Sequence, residues 1–215
     1  MERPELDVAQ VCERITLSIP ARRLLRRLRS QAAEPSTLSF LEALLDAELD
    51  SDILQYVSYL MTKRAAVWWG CLCLALVWHR QLTEPVEQAL LAALCWVRDQ
   101  DEPARQEAGR LGVATGWECA AGALAMAAHW SGGSLAPGDQ PNQPPAWDMT
   151  ARAVSGAVCL AGAEGPARYL IDNYHQFAQL GYKVLHQVIP IRAEPLSVAE
   201  LAALARSFLP SEEQG

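Results

Sequence analysis

The sequence predicts an all-α protein: a single-domain bundle or stack of about 10–11 short helices with one long Pro- and Gly-rich loop. Three observations predict it. Ala, Leu, Glu, Gln and Arg, all good helix formers, dominate, while β-branched residues are sparse and scattered. Apolar residues recur at helical rather than alternating spacing. Capping residues and prolines punctuate the chain at short intervals, as helix starts require.

The elements follow in order. Asp7 can cap a short helix running to Ile15. Pro20 suits the first turn of a second, ARRLLRRLRS, ending near Ser30. After the break QAAEPS, Ser36 or Thr37 caps LSFLEALLDAEL, in which Leu38, Leu41, Leu44 and Leu45 share one face. Asp50 or Ser51 starts DILQYVSYLM, and Thr62 starts an apolar fifth helix. Thr83 with Pro85 opens a sixth to about Val97. Asp101 with Pro103 opens a seventh, ARQEAGRLG, with Gly112 as its expected C-cap. Thr115 begins the eighth, WECAAGALAMAAHW.

Residues 131–147, SGGSLAPGDQPNQPPAW, carry four prolines and three glycines, so no regular element survives there. Asp148 caps a ninth helix, MTARAVSGAVCLAG. Gly165-Pro166 breaks it and opens a tenth, ARYLIDNYHQFAQLG, closed by Gly181. Pro190 ends any helix in YKVLHQVIPI, and Ser197 caps the last, VAELAALARSFL. Residues 1–30 thus form N-terminal basic helices and 31–210 the core domain, with 211–215 a frayed tail. A weak internal echo links LAALCWVRDQDEPAR (91–105) with SGAVCLAGAEGPAR (155–168), and chance competes with duplication as its source.

Composition narrows the function classes. Hydrophobic residues at 51% against 20% charged exclude a disordered chain. A net charge of −7 gives no general attraction to nucleic acid or anionic lipid, so any such contact needs a local basic patch. The longest apolar run, residues 65–78, is fourteen residues between basic neighbours and reads as a core helix. A membrane span needs about 20. The six cysteines sit mostly in apolar helical segments, and MERPELDVAQ has no signal-peptide apolar region. They read as reduced small hydrophobes of a cytoplasmic protein.

No catalytic set emerges. Cys71 and Cys73 diverge by about 200° around a helix and cannot share a metal. His79, His129, His175 and His186 form no H-x-x-x-H pair. Nothing marks two of Glu13, Glu118, Asp172 and the acidic run 42–52 as a shared acid–base site. Gly132-Gly133 lacks the Lys-Ser of a phosphate loop. The expectation is a non-enzymatic protein with no cofactor and no metal. The alternative is a hydrolase-like enzyme or toxin whose site assembles from scattered Cys, His and Asp.

Two features suit a partner-binding role. Seven tryptophans are many for 215 residues. Trp130 and Trp147 flank the long loop, where they pin it to the body or line a groove beside it. With Leu135 and Pro137 they form one candidate contact surface. As a core ring, Trp130 would cost roughly 3–5 kcal/mol on truncation to Ala. Charge segregation is the second feature. Arg22, Arg23, Arg26 and Arg27 crowd one helix, whereas residues 31–60 hold six acids and no Lys or Arg. The expected arrangement sets the basic helix beside the acidic ones as internal counter-charge; the alternative aims the arginines at a partner.

KRAAVWWGCLCLA (63–75) and GWECAAGALAMAAHWSGGSLAP (116–137) resemble a bacterial family of small helical proteins catalogued as a domain of unknown function. Its members share the order seen here: a Cys-Glu-Arg stretch (Cys12 to Arg14), a double-Trp helix, a WSGGSLAP turn with a Pro-rich loop, and a helix like AVSGAVCLA. The resemblance covers most of residues 8–182, and the tail after Gly181 departs from it. It implies an accessory role, because genes of the family often lie near type VI secretion components. It supplies no catalytic residues. The expected partner is a secretion component or effector.

Overall fold

Side-chain caps set five of the helix starts where the sequence places them. A computed structural model describes residues 6–31, 34–78, 82–136, 141–164, 166–192 and 194–210, and every regular element among them is a helix. They are α1 (Val8–Cys12), α2 (Ile19–Gln31), α3 (Thr37–Asp46), α4 (Asp50–Leu60), α5 (Lys63–Val77) and α6 (Glu84–Asp99). Then come α7 (Glu102–Thr115), α8 (Ala120–His129), α9 (Met149–Ala163), a 3-10 turn (Ala167–Tyr169), α10 (Leu170–Leu185) and α11 (Val198–Ser207). Asp7 and Ser197 each form a capping box, with Gln10 and Glu200 as partners. Ser36, Thr62 and Asp101 accept from the third amide of their helices. Pro137, residues 138–140 and the tail 211–215 lie outside the described residues.

The fold is a single helical domain built around α5. Every residue from Ala66 to Leu76 is buried, which accounts for a helix apolar all round. It packs against α6, α8, α9, α10 and α11, while α4 lies against α9 and α10. Trp68 and Trp69 are wholly buried, and the Trp69 Nε1 donates to the Phe177 carbonyl at 3.0 Å. Among the described residues no helix is long and apolar enough to cross a membrane. Helix α2 is peripheral, turning Ala21, Leu24 and Leu25 inward.

Several helix ends differ from expectation: α1 stops at Cys12 rather than Ile15, α10 starts at Leu170 after the 3-10 turn, and at two glycines tertiary packing is the reason. Helix α7 does not end at Gly112 but continues to Thr115, with Gly116 at its end at φ +89°. Gly112 instead gives α8 room: a Cβ there would stand 2.9 Å from the Met126 Cγ and 3.0 Å from the Gly122 carbonyl. Helix α8 starts at Ala120 with Cys119 as its cap, not at Thr115. Helix α10 runs through Gly181, which lies against the Trp69 indole and Val57, where an added Cβ would sit 3.2 Å from both. A glycine that ends a helix and a glycine that admits a neighbour look alike in sequence. Two smaller differences concern single side chains. Leu38 is exposed, and Phe40 joins Leu41 and Leu44 in the core. Asp148 precedes α9 but makes no side-chain cap bond.

Candidate functional site

Helices α4 and α5 meet at Met61 and Thr62, and the bend leaves a cleft of about 260 Å³ against the start of α9. Met61, Ala66 and Ala151 supply apolar walls, and Tyr59 and Trp147 face each other edge-on with ring centres 6.5 Å apart. Three polar side chains also line it, and each has a partner already. The Ser58 hydroxyl donates to the Gln55 carbonyl at 2.8 Å, and the Thr62 hydroxyl accepts from the Ala65 amide at 3.2 Å. The Lys63 ammonium donates to the Ser131 carbonyl at 2.7 Å. The cleft is therefore apolar in character.

Charged groups brace it from behind. The Arg14 guanidinium lies 4.9 Å from the centre of the Trp147 ring and 3.7 Å from Asp148. Asp148, nearly buried, also accepts from Arg152 at 2.6 Å. Burial pushes the Tyr59 phenol above its usual range, with Arg152 opposing the shift. The hydroxyl is buried with no partner in hydrogen-bonding geometry. The sequence did not bring Arg14, Tyr59 and Lys63 to one site, because helical pattern does not reveal which faces of α1, α4 and α5 meet Trp147.

The WSGGSLAP turn borders this cleft through Lys63, and a second cation holds its other side. Arg105, 4% exposed, donates to the His129 carbonyl at 2.6 Å and to both oxygens of Glu102 at 2.6 and 2.7 Å. Arg105 and Lys63 thus satisfy carbonyls left unpaired at the C-terminal end of α8. Gly133, at φ +70°, admits the Arg105 guanidinium so closely that a Cβ would stand 2.3 Å from it. This accounts for Gly133, whereas a Cβ on Gly132 would meet nothing within 4 Å. Beyond the turn, the Leu135 amide donates to the Gln143 carbonyl at 2.8 Å, tying the two sides of the loop together.

The predicted contact residues among those described fall into four places. Trp147 lines the cleft. Trp130 is half-buried against the exposed Trp117, ring centres 6.4 Å apart, so it is not a core ring. Leu135 is exposed on the loop, and Pro137 lies outside the described residues. Arg22, Arg23, Arg26 and Arg27 are exposed on α2, away from these tryptophans in sequence. The expected internal counter-charge is not formed by them: among the described residues their guanidinium groups make no ion pair or hydrogen bond. Arg29 of that helix is paired, with Glu34.

The thiols and imidazoles have other company. Burial raises Cys12 to about 11 and pushes Cys71, Cys73 and Cys159 up as well, which disfavours thiolate. Among the described residues no thiol hydrogen-bonds an imidazole, and no group of three or more His, Cys, Asp or Glu is placed to hold a metal. His175 stands 3.3 Å from Asp50 and 2.8 Å from Gln179. His129 packs on Arg105, and burial lowers its pKa from the usual 6.5. The unfolded chain then takes up this proton more readily than the folded one. The stability due to the neutral ring is present above the unfolded pKa and lost as pH falls through the folded value. We expect the melting temperature to drop as pH falls below the ordinary histidine value, and less so in His129→Gln. A variant with the unchanged slope would show that His129 contributes nothing to it.

No curated protein and no solved structure matches the chain. A family model does match, over residues 40–185, from Phe40 in α3 to Leu185 at the end of α10. The matched region holds the cleft residues 58–151, Arg105 and the WSGGSLAP turn, and it leaves α1, α2 and α11 outside. On that match, covering more than half of its length, the chain belongs to the family of unknown function DUF6931.

Proposed function

We propose that this protein is a non-enzymatic, chaperone-like adaptor of a bacterial type VI secretion apparatus, working in the cytoplasm and holding a protein partner at the Tyr59–Trp147 cleft. The observation that carries the reading is the cleft itself: apolar walls, two aromatic rings, and the polar groups of Ser58, Thr62 and Lys63 already engaged. At about 260 Å³ it is smaller than the roughly 300–1,000 Å³ of typical small-molecule sites. A space of that size suits one apolar side chain of a partner seated between aromatic faces, the arrangement of an interface anchor. The raised thiols favour this reading over a cysteine nucleophile. The secretion setting rests on the resemblance of the double-Trp helix and the WSGGSLAP turn.

The test compares variants in affinity capture from the native bacterium. Ala151→Gln fills the cleft from α9 without removing core atoms, and Trp147→Ala removes its aromatic wall. We expect the unaltered protein to recover a type VI secretion component, and both variants to lose at least ten-fold of it while keeping cooperative melting. Recovery of no secretion component, or equal recovery by folded variants, would overturn the proposal.

A further inference from the structure

Helix α2 carries four arginines, Arg22, Arg23, Arg26 and Arg27, that form no ion pair among the described residues. Arg22 and Arg26, and Arg23 and Arg27, stand at the i, i+4 spacing at which like charges repel. All four are exposed. The chain is acidic overall, at −7, and Glu42, Asp46 and Glu48 follow closely in sequence. Yet the fold exposes those acids, and among the described residues none of them forms an ion pair with the four arginines. Folding alone would select glutamine or a mixed-sign pattern here, since both remove the repulsion and keep helix propensity. A face that is mildly unfavourable in the isolated chain becomes favourable when an anionic surface covers it.

We infer that Arg22, Arg23, Arg26 and Arg27 dock an acidic segment of a partner protein. The four residues span about 8 Å of helix axis, so three or four carboxylates within two helical turns of the partner match them. Guanidinium forks bind carboxylates with two parallel hydrogen bonds, and this face is built of arginine alone. An anionic membrane fits less well. The apolar stripe that an interfacial helix would insert, Ala21, Leu24 and Leu25, is already buried in the protein's own core. A long nucleic acid would also meet the repulsion of the remaining negative surface. Helix α2 lies outside the residues matched by the family model, and none of its residues lines the cleft.

The test uses the full chain and a fluorescein-labelled decaglutamate peptide, read by fluorescence anisotropy. We expect saturable binding at about 50 mM salt, weakened at least ten-fold at about 500 mM, where the Debye length shrinks to a few ångströms. The quadruple Gln variant of the four arginines should lose at least ten-fold in affinity with an unchanged or slightly higher melting temperature. Replacing the exposed Arg168 and Arg206 by Gln, or Ala151 by Gln, should leave the affinity unchanged. No binding at low salt, equal loss in the Arg168/Arg206 variant, or an undiminished quadruple variant would overturn the inference. So would tighter binding, through the same arginines, to phosphatidylserine vesicles or to duplex DNA than to the peptide.

Discussion

Trp69→Ala is expected to lower stability by about 3–5 kcal/mol, the range for truncating a fully buried tryptophan. Two losses add. The indole fills the space between α5 and α10, where Gly181 lies against it, and an alanine leaves a cavity that the rigid backbone of two long helices cannot close. The Phe177 carbonyl also loses the Nε1 donor at 3.0 Å in a buried setting. A domain of this kind has about 5–15 kcal/mol in total, so the variant stands near the edge of folding.

The neighbouring ring separates the two contributions. Trp68 is just as buried, but its Nε1 has no hydrogen-bond partner. Trp69→Phe therefore loses shape and a hydrogen bond, whereas Trp68→Phe loses shape and sheds a buried unsatisfied donor. Urea unfolding should show Trp69→Phe less stable than Trp68→Phe by roughly 1–3 kcal/mol. Equal costs for the two phenylalanine variants, or a Trp69→Ala cost below about 1 kcal/mol, would show that α10 does not rest on this ring.

The same comparison marks what was legible beforehand. Helix identity and most N-termini follow from local chemistry: Asp7, Ser36, Thr62, Asp101 and Ser197 each cap the helix that the residue pattern assigns them. C-termini were harder, because Gly112 and Gly181 serve helices distant in sequence. Nothing within a few residues of either encodes Met126 or Trp69 as its neighbour. The site was legible only in part. Trp147 stood out because a tryptophan after prolines is conspicuous. Tyr59, Lys63 and Arg14 reach the same place from three other helices or their ends, and that convergence is a property of packing alone. The charge pattern was visible, but its pairing was not: helical spacing reports that four arginines share a helix, not whether α3 turns its acids toward them.

Arg105→Met is expected to cost about 2–3 kcal/mol and to loosen the WSGGSLAP turn. The side chain keeps the aliphatic stem and removes the guanidinium, so packing changes little and the hydrogen bonds carry the effect. The His129 carbonyl at the end of α8 loses its charged donor at 2.6 Å, and Gly133 loses the group its left-handed backbone accommodates. Glu102, held down at about 2 mainly by its bonds to Arg105, returns toward the ordinary carboxylate range. Its folded pKa is depressed, so its stabilising contribution is present above the unfolded value and lost as pH falls through the folded one. Arg105→Met should therefore be less sensitive than the unaltered protein to acid between about pH 4.5 and 2. Hydrogen exchange gives the sharper view. Amides of residues 131–136 should lose protection in Arg105→Met while those of α5 keep theirs, because Lys63 still holds the Ser131 carbonyl from the other side. If the turn keeps its protection, Lys63 and the Leu135–Gln143 bond suffice to form it, and the buried arginine serves α7 rather than the loop.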